Sequence, residues 1–200
     1  KLMEQTWKVG GMYGQAIEQI VMWLEKAQGV AESPEQAKVL GLLIEFYRTG
    51  DLKKWDEFNI AWVMDKSSTV DLISGFVEVY NDPLGKKGSY ESCVEVIDPV
   101  ATKNMRAIQE NAQWFEDHSP LMEEHKKKEV VGITYSFINT VGEAGDAAPS
   151  TPIGVNLPNA NWIRAAHGSK SVSLGNISDA YDKSSGKGSL EVFCHDKEEV

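Results

Sequence analysis

Apolar positions recur with a helical period through the first third of the chain and alternate as in strands after it, a pattern that predicts an α+β protein. Ile17, Ile20, Val21 and Leu24 form one stripe and Leu40, Leu43, Ile44 and Tyr47 a second, so two helices should pack through these faces. Ser33, Pro34 and Gln36 read as an N-cap, a first-turn proline and a capping-box partner for the second helix. Gly50 should end it, and Asp51 should cap a third helix reaching about Asp65, with Trp55, Phe58 and Trp62 as a core stripe.

From Thr69 the period shortens. Val70 and Leu72 alternate, and Phe76, Glu78 and Tyr80 are expected on one side of a strand, with Val77 and Val79 facing the core. The polar stretch NDPLGKKGS, residues 81–89, predicts a long hairpin loop into a second strand over 90–97. Asp98 and Pro99 should open a helix over 101–115, and Lys126, Lys127 and Lys128 read as a solvated helix start. Residues 128–141 are expected as a further helix, with Val130, Val131, Ile133 and Thr134 leaving a strand open. Residues 142–150 read as a linker of small residues, followed by strands around 151–159 and 170–174.

The expected architecture is therefore a helical part over 1–69 and a small mixed or antiparallel barrel-like sheet over 70–98 and 151–180. A helical insertion lies over 99–141 and a tail over 181–200, in which Glu191 to Cys194 reads as the start of another element.

Composition narrows the function. Two hundred residues, 42% hydrophobic and 25% charged, suffice for a real core. A net charge of −10 argues against a nucleic-acid partner, which needs a clustered basic surface. No apolar stretch approaches the ~20 residues that cross a bilayer, and no signal sequence is visible at the N-terminus, so no membrane partner and a cytoplasmic location are expected. Cys93 and Cys194 form no CxxC pair and read as idle thiols. The sequon at Asn176 would matter only in a secreted chain.

Candidate chemistry is sparse. His118, His125, His167 and His195 include no i, i+4 pair with an adjacent Glu, so no metal site is expected from this chain alone. Nucleophile-elbow, phosphate-loop and dinucleotide motifs are absent. Glu78 and Glu91 would make an acid–base pair for a carboxylate-pair hydrolase if the hairpin set them across a cleft. What Glu78, Tyr80, Asn156 and Asn159 can do is hold a peptide: a carboxylate beside an amide oxygen accepts hydrogen bonds from a free ammonium. The segment around Gly154, from Pro152 to Asn156, is suited to take a substrate backbone as an added strand, and Pro152 and Pro158 suit a sheet edge.

Two segments carry a family resemblance. GFVEVYNDPLG from Gly75 and TPIGVNLPNANWIR from Thr151 resemble the GF[IV]ExYxDPxG and PxGxNxPNxxxxR words of dipeptidyl peptidase III, a family of zinc-dependent exopeptidases. Trp62 and Asp65, Gly88 and Glu91, and the VSLGN of Val172 to Asn176 match further; the chain has PNANW where the family often has PNYDD. The zinc motif HExxGH and the later EExxAE occur nowhere in these residues.

The resemblance implies that Glu78 and Asn156 hold the substrate's free amine, that Asn159 contacts its backbone, and that Tyr80 faces the scissile carbonyl. It places Glu91 and Arg164 near the binding cleft. The expectation is thus the substrate-binding portion of a longer zinc dipeptidyl peptidase acting on oligopeptides with free N-termini. Zinc would be held outside this chain, which alone would be inactive, with 99–141 reaching toward the catalytic lobe and 181–200 leading into it. The alternative is a non-enzymatic peptide or protein interaction module.

Overall fold

The computed structural model describes residues 5–86, 88–148 and 151–184; Cys194, His195 and the element expected from Glu191 lie outside the described residues. Its elements are α1 (Gly14–Gln28), α2 (Pro34–Thr49), α3 (Leu52–Met64), β1 (Val70–Glu78), β2 (Ser89–Ile97), α4 (Pro99–Glu110), α5 (Ala112–Asp117), β3 (Ile133–Gly145), β4 (Gly154–Leu157), α6 (Asn161–His167), β5 (Ser169–Leu174) and α7 (Gly175–Ser184). A single 3-10 turn spans Glu123–His125. This is the expected α+β class, combining helices with a mixed five-stranded half-barrel sheet. The chain divides into two compact units: one holds the residues up to Thr69, Asn111–Thr134 and Asn156–Lys170, the other Val70–Glu110, Tyr135–Val155 and the residues from Ser171 on.

In the first unit the predicted stripes meet. Ile17, Val21 and Leu24 of α1 and Val39, Leu40, Leu43, Ile44 and Tyr47 of α2 are buried, as are Phe58, Trp62 and Val63 of α3. Ser33 Oγ accepts from the Gln36 amide at 3.0 Å, as the sequence spells it, while Gln36 Oε1 accepts at 2.7 Å from the amide of Glu32, one residue before the cap, rather than from that of Ser33. Gly50 closes α2 in the left-handed region at φ 70°, its N–H donating to Phe46 O at 2.7 Å. Asp51 Oδ1 caps α3 through the Lys53 amide at 2.9 Å. Trp55 sits between Phe46 and Phe58, with ring centroids 4.9 and 5.2 Å away.

Past α3 the same unit buries a charge. Asp65 accepts hydrogen bonds from both Ser67 and Ser68, and Lys170 lies buried with its Nζ 4.5 Å from the Trp62 ring centroid. Burial alone would push the Asp65 carboxyl up, but the Ser68 and Ser67 hydrogen bonds and the Lys170 charge outweigh it and hold the group below its usual range. Trp62 thus forms the floor under the lysine and Asp65 its counter-charge.

The second unit is built on the sheet, in the order β1-β2-β3-β5-β4. β1 pairs with β2 and β2 with β3, both antiparallel. Ile138, Val172 and Leu174 form its core, with Ile97, Val155 and Ile177 packed around them. Asp98 Oδ1 caps α4 through the amides of Val100 and Ala101, each at 2.9 Å. Asn176 gives the VSLGN word a structural reason: its amide donates to Thr140 O at 2.9 Å and accepts from Thr140 N at 3.0 Å, acting as a strand partner beside the β2–β3 bulge.

Several expectations need correction. The helix expected over 128–141 is strand β3: the β-branched residues Ile133, Thr134, Ile138, Thr140 and Val141 fit a pleated surface better than a helix, and β3 is hydrogen-bonded on both sides. The strand runs through Gly145, so residues 142–145 are sheet rather than linker. Lys126 starts no helix; it follows the 3-10 turn, and its ammonium is drawn inward to Asp117 O at 2.7 Å and to Glu123. The helix expected over 101–115 is broken at Asn111, whose φ of −102° and ψ of 15° leave the helical region. Helices α6 and α7 lie where only strand and tail were expected.

Leu43 is fully buried, so Leu43→Ala should cost about 2–5 kcal/mol in a urea titration followed by circular dichroism. Gly145 has φ +71°, and a Cβ there would lie 2.0 Å from Tyr90 O. Gly145→Ala should therefore destabilise by about 2 kcal/mol or more on the same measurement, a cost that an alanine at an open glycine such as Gly142 would not bring.

Candidate functional site

A bulge at the end of β1 creates the site's geometry. Gly75 lies opposite Glu91 and Glu78 opposite Ser89, so three steps along β1 match two along β2. Residues opposite one another share a face, as do Ser89 and Glu91 two apart on β2. The extra residue therefore turns Glu78 onto the face of Glu91; regular alternation from Gly75 would have turned it away. On β3, Glu143 stands opposite Cys93 on that same face, and Asp146 follows Gly145, its N–H donating to Tyr90 O at 3.0 Å.

The result inverts ordinary strand patterning. Along β2 the buried positions are Glu91, Cys93 and Glu95, with Glu91 7% and Glu95 1% exposed, whereas Val94 is exposed. Burial and then the neighbouring charges of Glu78, Asp146 and Glu143 push the Glu91 carboxyl up to about 7. The Glu78 carboxyl is raised too, first by burial and then by Asp146. Glu143 Oε2 accepts from Thr151 Oγ1 at 2.9 Å, while its Oε1 is buried without a hydrogen-bond partner among the described residues. No ion pair joins Glu78, Glu91, Glu143 or Asp146 to a cation among the described residues. Chemically, such a face rejects further negative charge and favours a ligand that brings a positive one and several N–H donors.

Cys93, on the same face, is not available as a nucleophile. Burial, with the Glu95 charge after it, pushes its thiol up to about 12, and its sulfur lies 3.8 Å from Thr140 Oγ1.

The remaining sequence-predicted residues fall elsewhere. β1 ends at Glu78, so Val79 is exposed rather than core and Tyr80 stands on the loop beyond the strand, 89% exposed. Gly154 opens β4, the edge strand of the sheet, with Val172 O 3.0 Å from where a Cβ would sit. Asn156 is exposed on β4 and Asn159 is exposed after the cis bond between Leu157 and Pro158. Arg164 is half-buried on α6. Glu143 and Asp146 were missed by sequence reasoning because their strand read as helix and linker; the inverted alternation of Glu91, Cys93 and Glu95 against Ser92, Val94 and Val96 was the available signal.

The described residues do not fit a zinc site. Among the described residues no group of three or more His, Cys, Asp or Glu side chains is arranged around a common point for a metal. His118 stacks on Trp114 at 4.3 Å, and its Nδ1 lies 2.8 Å from the Trp114 carbonyl oxygen. No helix of the described residues is long and apolar enough to cross a membrane.

Comparison with known proteins agrees with the words in the sequence. Human dipeptidyl peptidase 3 is 28% identical over 167 residues, covering 84% of this chain and 22% of its own. A plant relative from Arabidopsis thaliana named Nudix hydrolase 3 is 29% identical over 159 residues, covering 79% of this chain and 20% of its own. The chain thus spans about a fifth of the length of the curated relatives it matches. Among solved structures, DPP III from Caldithrix abyssi superposes with a TM-score of 0.75 at 27% identity, covering 86% of this chain and 33% of that one. The family model described as Peptidase family M49 matches residues 3–199, and on that nearly complete span the chain belongs to peptidase family M49.

Proposed function

We propose that this chain is the substrate-binding portion of a metallopeptidase that releases dipeptides from the free N-terminus of oligopeptides. The observation that carries the reading is the bulge-made face on which buried Glu91 and half-buried Glu78 stand together with Glu143 nearby. An α-ammonium supplies the positive charge and the donors that this face favours, and it distinguishes a free N-terminus from a blocked one.

In this reading Glu78 and Asn156 hold the amine, with Glu91 as the neighbouring carboxylate that ionises when the ammonium arrives. Asn159 and Arg164 contact the peptide further along. The open edge of β4, with Gly154 bringing no side chain, receives the substrate backbone as an added strand and gives affinity independent of side-chain sequence. Tyr80, on the exposed loop just past Glu78, offers a phenol to the negative charge developing on the scissile carbonyl. The metal belongs to residues other than those described here, and this chain alone should not turn over a dipeptidyl arylamide above a zinc-only blank.

Calorimetric titration with a free and an N-acetylated pentapeptide tests the assignment. The acetylated form should bind about tenfold more weakly or worse, and Glu78→Gln should remove most of that difference. Equal affinity for the two forms would favour the plain interaction module instead.

The same titration should depend on pH in a defined sense. Glu91 gains its charge as pH rises through about 7, and a peptide amine loses its own at about 7.7–8.0. Affinity should therefore climb from pH 6 to a maximum between these values and fall above them. Glu91→Gln should flatten the acid limb and leave the alkaline one, because only the carboxylate's titration has been removed.

A further inference from the structure

Helix α6 follows directly on Asn156 and Asn159 and presents an unusual outer face. Trp162, Ala165 and Ala166, spaced three and four residues apart, are all exposed, with Asn161 beside them. Ile163 is the buried anchor of the helix, and Arg164 is half-buried away from that strip. A solvated helix face normally carries charge, and in this chain 25% of residues are charged, yet this one has none. Trp162 is 54% exposed, and among the described residues its indole stacks on no other ring. Two alanines beside a tryptophan leave the indole face open rather than screened by longer side chains.

We propose that Trp162, with Ala165 and Ala166, forms a shelf that takes a large apolar side chain of the bound oligopeptide and so sets a side-chain preference. The proposal rests on the substrate-binding reading above. It adds what that reading lacks, since backbone addition and amine capture are blind to side-chain identity. The occupant is an apolar or aromatic peptide side chain: the face carries no charge to recognise a charged one, and an indole pairs with a second ring through offset or edge contact. Trp162 follows Asn159 by three residues, so the shelf lies within a short reach of the peptide backbone that Asn159 is proposed to contact.

The test is a scan of free-amine pentapeptides of alanine carrying a single Phe at each position in turn, titrated into the chain, its Trp162→Ala variant and its Trp162→Phe variant. Trp162 is exposed on a surface helix, so both variants should keep the fold, checked by circular dichroism. One Phe position should bind about two- to tenfold more tightly than penta-alanine, as an aromatic pair gives. Trp162→Ala should abolish that gain, Trp162→Phe should retain it, and the ratio of free to acetylated affinity should be the same in all three. A Phe gain unchanged in Trp162→Ala, or no gain at any position, overturns the shelf. A Trp162-dependent gain with no penalty for acetylation leaves the shelf standing and overturns the amine reading, and failure of every peptide to bind overturns both.

Discussion

One extra residue in β1 governs the chemistry of the second unit. A strand's side chains alternate, so a one-residue slip exchanges its faces, and without the bulge between Gly75 and Glu78 the two glutamates would stand on opposite sides of the sheet. With it, Glu78 and Glu91 share a face that Glu143 extends from β3. Burial then makes the charges of Glu91 and Glu78 costly, and the neighbouring acids add to the cost at Glu91. A face of this kind is stable while protonated or matched by a cation, which is the electrical condition a free peptide amine meets.

The first unit handles charge differently. Its buried Asp65 is satisfied internally, by two serines and by Lys170 lying over Trp62. Both units bury carboxylates, but Asp65 has hydrogen bonds and a nearby cation from its own unit, whereas among the described residues Glu91 has no cation partner. That contrast distinguishes two acids that burial alone does not, since Asp65 and Glu91 are each 7% exposed.

Much of this was legible in the sequence. The three N-terminal helices, their caps at Ser33 and Asp51 and the β1–β2 hairpin follow from local periodicity and capping chemistry, which act over a few residues and need no tertiary context. β3 was not legible, because Lys128 to Val141 mixes helix formers with β-branched residues and only pairing to β2 decides between them. The bulge was invisible for a related reason: alternation read from one strand assumes a register that the partner strand sets. Glu78 and Glu91 could be named from their words, yet the face they share, and the part Glu143 and Asp146 play in it, depended on that register. Trp162 stood in a noted departure, PNANW, but its exposure follows from α6, which the strand-like segment before it concealed.

The two units alternate along the chain. The chain passes from one to the other after Thr69, Glu110, Thr134, Val155 and Lys170, and β4 and β5 each begin in one and end in the other. Neither unit is a continuous segment, so neither can be duplicated, swapped or lost by a single genetic event that cuts at two points. An insertion or deletion large enough to remove one would tear the strands of the other. The sheet and the helical unit are therefore inherited as one module.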